Sequence, residues 1–182
     1  MQEKLITAQD AAGIVTLEAL KMHCRIDDDI TESDDLLRVL LRAAVEQCQH
    51  RLGRPILPQV WERIFEPTTP VLQLHPDVLL VQSITAVRDE DEIALALDDW
   101  QLKDARRLVA KSGWPSGTRA LRVRYRCGAW ATALEVPDAI RQWLMVRVST
   151  AYANSESIVT GAIVNELPRD YVDGLLDPWR AF

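Results

Sequence analysis

Six carboxylates crowd one short stretch, Asp27, Asp28, Asp29, Glu32, Asp34 and Asp35, a density of oxygen ligands that would suit a hard cation. The spacing fails the calcium-loop test. With Asp27 at the first loop position, the sixth is Glu32 where the loop needs glycine, and the twelfth is Arg38 where it needs a bidentate glutamate. Helix-start carboxylates in a solvated turn explain the cluster without a metal. His23-Cys24 and Cys48-Gln49-His50 offer softer ligands, yet neither pair has the usual spacer of a zinc site. Cys24 and Cys48 also fall on apolar stripes, where a thiol packs as a small hydrophobe. No Gly-x-Ser-x-Gly elbow exists, and nothing around Cys127 in Tyr-Arg-Cys-Gly-Ala-Trp marks a nucleophile. His75, between Leu74 and Pro76 in an expected turn, reads as a surface residue. The seven glycines are scattered singly, so no phosphate loop is present. No catalytic residue, metal or cofactor is expected, and the chain does not read as an enzyme.

Arg122, Arg124 and Arg126 alternate with Leu121, Val123 and Tyr125, which puts three positive charges on one face of a strand. That face is either a nucleic-acid contact or a solvated surface pairing with the chain's excess carboxylates; the second reading is preferred. Trp114, in Ser-Gly-Trp-Pro-Ser-Gly, is expected to fold back onto the sheet rather than stand as a loop anchor.

The elements that would position these residues fall into three zones: an N-terminal helical hairpin over 1–57, an inserted antiparallel β module over 58–130, and a long helix with an apolar tail over 131–182. The last packs with the first as one composite domain. Thr16 suits an N-cap for a helix carrying Leu17, Leu20 and Cys24 on one face. Thr31 with Asp34 resembles a capping box, and Leu36, Leu37, Leu40, Leu41, Ala44, Cys48 and Leu52 continue one apolar stripe. Gly53 caps that helix, and Pro55 and Pro58 stop any continuation. From Pro58 the period shifts toward two, with strands expected at 60–66, 71–74, 81–88, 93–97, 100–103, 107–110 and 120–126. Turn clusters, among them Asp89-Glu90-Asp91-Glu92, separate them. The pattern predicts an α+β protein in which an antiparallel module interrupts a helical bundle.

The run Pro137–Asn154 carries more apolar surface than one core face requires. Ile140, Trp143, Leu144, Val148, Ala151 and Tyr152 form the main stripe, while Met145 and Val146 extend it around the cylinder. Met145 and Val146 are therefore the candidate subunit contacts. At 182 residues, 48% hydrophobic and 26% charged, the composition is that of an ordinary globular domain. The start MQEKLITAQD lacks the basic-then-apolar layout of a secretory signal, and the cysteines fit a reduced intracellular setting. No apolar run approaches the roughly 20 residues of a membrane span, so no membrane partner is expected. The formal charge of −6 disfavours tight duplex binding.

Several segments in order resemble one family. Val15-Thr16-Leu17-Glu18-Ala19-Leu20-Lys21 with Cys24-Arg25-Ile26-Asp27 is similar to its opening helix and acidic turn. Asp34-Asp35-Leu36-Leu37 through Leu52-Gly53-Arg54-Pro55-Ile56 resembles its second helix. Val123-Arg124-Tyr125-Arg126-Cys127-Gly128-Ala129-Trp130 and Val136-Pro137-Asp138-Ala139-Ile140-Arg141-Gln142-Trp143 resemble its last strand and the helix that follows. Tyr152-Ala153-Asn154-Ser155-Glu156 and Leu175-Leu176-Asp177-Pro178-Trp179-Arg180 complete the set. The family is the head–tail connector (adaptor, or head-completion) proteins of long-tailed bacteriophages and prophages. Ser155 and Cys24 depart from its usual pattern.

The resemblance implies a non-enzymatic virion protein that docks under the portal as a ring after DNA packaging and extends the channel toward the tail. Its implied partners are the portal protein, a tail-side stopper or tail-completion protein, copies of itself in a ring (twelve-fold on the virion), and DNA passing without sequence-specific binding. The implied location is the virion neck, with assembly in the host cytoplasm. Leu175, Leu176, Pro178, Trp179, Arg180 and Phe182 become docking candidates, as an apolar tail that orders on contact. The alternative is a DNA-binding accessory module using Arg122, Arg124 and Arg126.

Overall fold

The computed structural model describes residues 2–89, 91–154 and 169–181. Glu90, Ser155-Glu156 and Phe182 lie outside the described residues. The fold is α+β, and its contacts divide it into two units: Met1–Gln9 with Arg54–Ala131, and Asp10–Gly53 with Thr132–Phe182.

The first unit is all β. Strand β1 (Gln2–Thr7) pairs with β2 (Gln59–Phe65), which pairs with β8 (Ala120–Cys127). On its other edge β8 pairs with β4 (Val78–Val87), which carries β5 (Glu92–Ala94), giving the order β1-β2-β8-β4-β5. A second sheet has the order β3-β7-β6, built from β3 (Val71–Gln73), β7 (Arg107–Ala110) and β6 (Trp100–Lys103). Every pairing is antiparallel. The alternation in β8 drives the packing: Leu121, Val123, Tyr125 and Cys127 are buried, whereas Arg124 and Arg126 are exposed. Leu121 and Val123 of that face each contribute about 1.5–3 kcal/mol over leaving them in water. Leu72 and Leu108 of the second sheet join the same cluster, with Trp100, Leu102 and Trp114 packed at its margin.

Gly128 ends β8 for a steric reason. A Cβ there would stand 2.6 Å from the Leu57 carbonyl carbon and from the Pro58 nitrogen. That close approach lets Gly128 donate to Asp77 O (3.1 Å), Ala129 to Pro55 O (3.0 Å) and Trp130 to Ile56 O (3.1 Å).

In the second unit, α1 (Leu17–Cys24) is capped by Thr16, whose hydroxyl accepts from the Ala19 N–H (3.3 Å). Helix α2 (Asp34–Leu52) buries Leu37, Leu41, Ala44, Val45, Cys48 and Leu52, and Gly53 closes it at φ 67°. Leu36 is exposed and Leu40 half-buried, so the observed stripe is rotated from the expected one. Helix α3 (Asp138–Ala153) buries Ile140, Trp143, Leu144 and Val148 against α1 and α2, while Ala151 is exposed. The short α4 (Arg169–Gly174) follows. Among the described residues, no helix is long and apolar enough to cross a membrane.

The periodicity assigns no element to residues 2–7, inside the segment 1–57; they form β1, a sheet edge whose residues are nearly all exposed and so carry no apolar signature. The capping box at Thr31 does not form either. Helix α2 starts at Asp34 after Ser33; the Asp34 carboxylate is engaged by Lys21, and the Ser33 hydroxyl bonds the Tyr152 hydroxyl (2.9 Å) instead of capping the helix.

Candidate interaction surfaces

Asp34 is engaged by Lys21. This lysine occupies the apolar stripe of α1 and is only 4% exposed. Its Nζ lies 2.8 Å from Asp34 Oδ1 and donates to the Asp28 carbonyl at 3.1 Å. A buried ammonium needs such a partner set. The acidic stretch thus folds around an internal cation, while Asp27, Asp28, Asp29 and Glu32 remain exposed. Among the described residues, no three His, Cys, Asp or Glu side chains group to hold a metal ion. His23 and His50 are exposed while Cys48 is buried, so the softer ligands do not converge. Burial pushes the Cys48 and Cys127 thiols up to about 12, which leaves no reactive thiolate near neutral pH.

A second polar cluster lies in the β unit, and His75 belongs to it rather than to the surface. His75 Nδ1 and the Tyr125 hydroxyl share a 2.8 Å hydrogen bond, and the imidazole meets the Trp61 ring at 4.8 Å between centroids, tilted by 51°. Its Nε2 lies 3.6 Å from Glu3, which also meets Arg63 Nε at 3.3 Å. Arg63, itself buried, donates to the Gln73 carbonyl at 3.2 Å. Burial lowers the His75 pKa; Glu3 opposes that shift, and Arg63 and Arg106 reinforce it. Burial likewise pushes the Tyr125 hydroxyl up, beyond any physiological titration.

The outer face of β8 separates its three arginines. Arg122 binds Glu92 through two bonds of 3.0 and 3.1 Å, and Arg119 pairs with Asp89. Arg124 lies across from Glu62 of β2, and Arg126 lies across from Val60 of β2 and Leu80 of β4. Trp114 folds back as expected, donating from Nε1 to the Thr69 carbonyl at 2.8 Å. Two clefts flank it: one of about 290 Å³ is lined by prolines, threonines and glycines without a titratable group, and one of about 450 Å³ has Asp99 as its one titratable lining residue.

The C-terminal segment is tied down within the helical unit. Asp173 accepts from Trp143 Nε1 (3.2 Å) and pairs with Arg147 and with Arg51 (2.6 Å), joining α2, α3 and α4. Burial raises the Asp173 pKa, but the bonds from Arg147 and Trp143 and the charges of Arg147 and Arg51 outweigh it; the net shift is downward. Leu176 is fully buried within the chain. Ala181 N donates to Leu52 O at 2.8 Å, completing the end of α2. Leu175 and Trp179 are half-buried, Pro178 and Arg180 are exposed, and Phe182 lies outside the described residues. Met145 and Val146 are both half-buried.

Residues 14–94 match the model of a family described as phage gp6-like head-tail connector protein. The chain is similar to phage head–tail connectors. No curated protein matches it. Three solved structures share its fold. One is from the virion of the native gene transfer agent particle (TM-score 0.78, 18% identity) and one from the neck of the empty particle computed with C6 symmetry (TM-score 0.76, 17% identity). The third is from the neck of the native particle computed with C12 symmetry (TM-score 0.73, 19% identity). Each alignment covers 100% of this chain and 96% of the other.

The connector-like stretch 14–94 contains α1, the acidic turn, α2 and strands β2 to β5. It bears out the resemblance read from the opening helix and the second helix. The segments read as connector-like at β8, at α3 and at 175–180 lie beyond that stretch and are shared at the level of the fold.

Proposed function

We propose that the chain is a structural, non-enzymatic subunit of a virion neck: a head–tail connector that docks as a ring under the portal after DNA packaging and extends the channel toward the tail. The observation that carries this reading is a fold shared along the full length with subunits of neck and virion particles, joined to the connector-family match over 14–94. The C6 and C12 symmetries of those particles support a ring, twelve-fold on the virion. The formal charge of −6 supports a conduit through which DNA slides without sequence-specific binding. Its neighbours are then the portal protein above and a stopper or tail-completion protein below, with assembly in the host cytoplasm. Leu175, Pro178, Trp179 and Arg180 form the docking set toward the neck, and Met145 with Val146 the flank toward a neighbouring copy. Electron microscopy of the protein mixed with portal-bearing heads tests this reading. Extra ring density beneath the portal is expected; bare portals at saturating protein would overturn it.

The DNA-binding alternative loses one of its three arginines, because Arg122 is held by Glu92. It predicts duplex binding that falls steeply with salt and disappears when Arg124 and Arg126 become alanine.

A further inference from the structure

Two surfaces outside those docking sets are apolar, exposed and oppositely charged. The outward stripe of α2 carries Leu36 (40% exposed) and Val39 (50%), followed by Ala43 at helical spacing. Glu46 lies one turn further on, and Glu32 one turn before Leu36, both exposed; Arg42 lies between Val39 and Glu46, and Arg38 on the flank is paired with Asp35. Exposed Asp27, Asp28 and Asp29 add to the same end. This stripe lies opposite the face that α2 buries in its own unit, so the fold gives it no cover.

The second surface is the outer face of the β4–β8 ladder. Leu79 (52% exposed) and Leu80 (56%) stand out on β4, at a register shift in the ladder, and Arg126 pairs directly across from Leu80. Arg124 follows two residues along on the same face, with Glu62 across from it on β2. Arg122, the third arginine of the strand, is already satisfied by Glu92. What remains is a leucine pair beside two exposed cations.

We propose that these surfaces bind each other between copies: the α2 stripe at Leu36 and Val39 of one subunit seats on the β4–β8 face at Leu80, Arg124 and Arg126 of the next. The occupant is a second copy of this chain because the two patches match in both respects. Each offers exposed aliphatic side chains for burial, and carboxylates flanking one meet guanidinium groups flanking the other. The contact is heterologous, since different surfaces meet, and contacts of that kind propagate, closing into a ring where the rotation between copies allows it, rather than stopping at a dimer. The inference rests on the connector reading and names a contact within its ring that lies apart from the Met145–Val146 flank.

Charge reversal tests it. The helix variant Glu32→Lys/Glu46→Lys and the sheet variant Arg124→Glu/Arg126→Glu are compared with the native chain, as rings formed alone or on portal-bearing heads. Sedimentation and copies per head are the readouts. Each variant alone is expected to weaken assembly by about tenfold or more. Their equimolar mixture is expected to restore it, because one native and one charge-swapped contact then alternate around the ring; restoration also shows that both variants fold. Either variant assembling like the native chain, or a mixture that restores nothing, overturns the interface while native rings leave the connector reading standing. A native chain that neither self-associates nor binds the heads overturns the connector reading itself.

Discussion

The two units hold their internal polar groups by different means. In the helical unit the charged groups pair as full ions, Lys21 with Asp34 and Asp173 with Arg51 and Arg147, beside one neutral bond between the Ser33 and Tyr152 hydroxyls. In the β unit the Arg63–Glu3 pair is joined to a neutral imidazole, His75, whose partner is a phenol. Helices bring long charged side chains together from separate cylinders, so a carboxylate on α4 collects donors from α2 and α3. A sheet fixes side chains at ladder spacing, and an aromatic hydroxyl from β8 bridges to the segment after β3 with less freedom. Each unit should therefore fail under its own conditions.

The largest expected effect comes from Lys21→Ala, which leaves Asp34 facing the interior alone. A loss of about 3 kcal/mol is expected in urea unfolding, since breaking a buried pair strands the surviving charge. If Lys21→Ala costs no more than an exposed surface substitution, the ionic account of the helical unit is broken. Asp173→Asn keeps the shape but removes the charge, and about 2 kcal/mol should be lost, concentrated in hydrogen exchange of α3 and α4. Tyr125→Phe removes only the hydroxyl bound to His75. About 1 kcal/mol is expected, and exchange should quicken in β8 and not in α3.

The smallest effect is a pH dependence that sharpens the contrast. His75 has a folded pKa below its ordinary 6.5, so between those values the unfolded chain binds a proton that the folded chain refuses. Stability of the β unit is therefore full above 6.5 and falls as pH drops toward the folded value. Asp173 also has a lowered folded pKa, beneath its ordinary 3.8, so its contribution persists in mild acid and is lost only below 3.8. Exchange protection in β8 should weaken before protection in α3 as the solution is acidified, and His75→Gln should remove that lead. Simultaneous loss in both units would erase the distinction.

Where one residue type repeated at a fixed period, the fold was legible. Strands at Trp100–Lys103 and Arg107–Ala110 match the alternation residue for residue, and Thr16 and Gly53 act as the caps their chemistry predicts. Legibility failed where a partner was distant in sequence. His75 reads as a turn residue because Tyr125 and Glu3 come from other strands. Lys21 left one visible trace, a lysine on the stripe of Leu17, Leu20 and Cys24. The apolar stripe of α2 is broad enough to rotate, so only packing chooses the buried side and leaves Leu36 outside.

Gly128 has a consequence for the arginines. Because it is clamped against the backbone of Leu57 and Pro58, β8 cannot slide along its neighbours. A slip of one residue would turn Arg122, Arg124 and Arg126 inward and expel Leu121, Val123 and Tyr125. A residue with no side chain thus acts as the pin that keeps charge on the outside of the sheet.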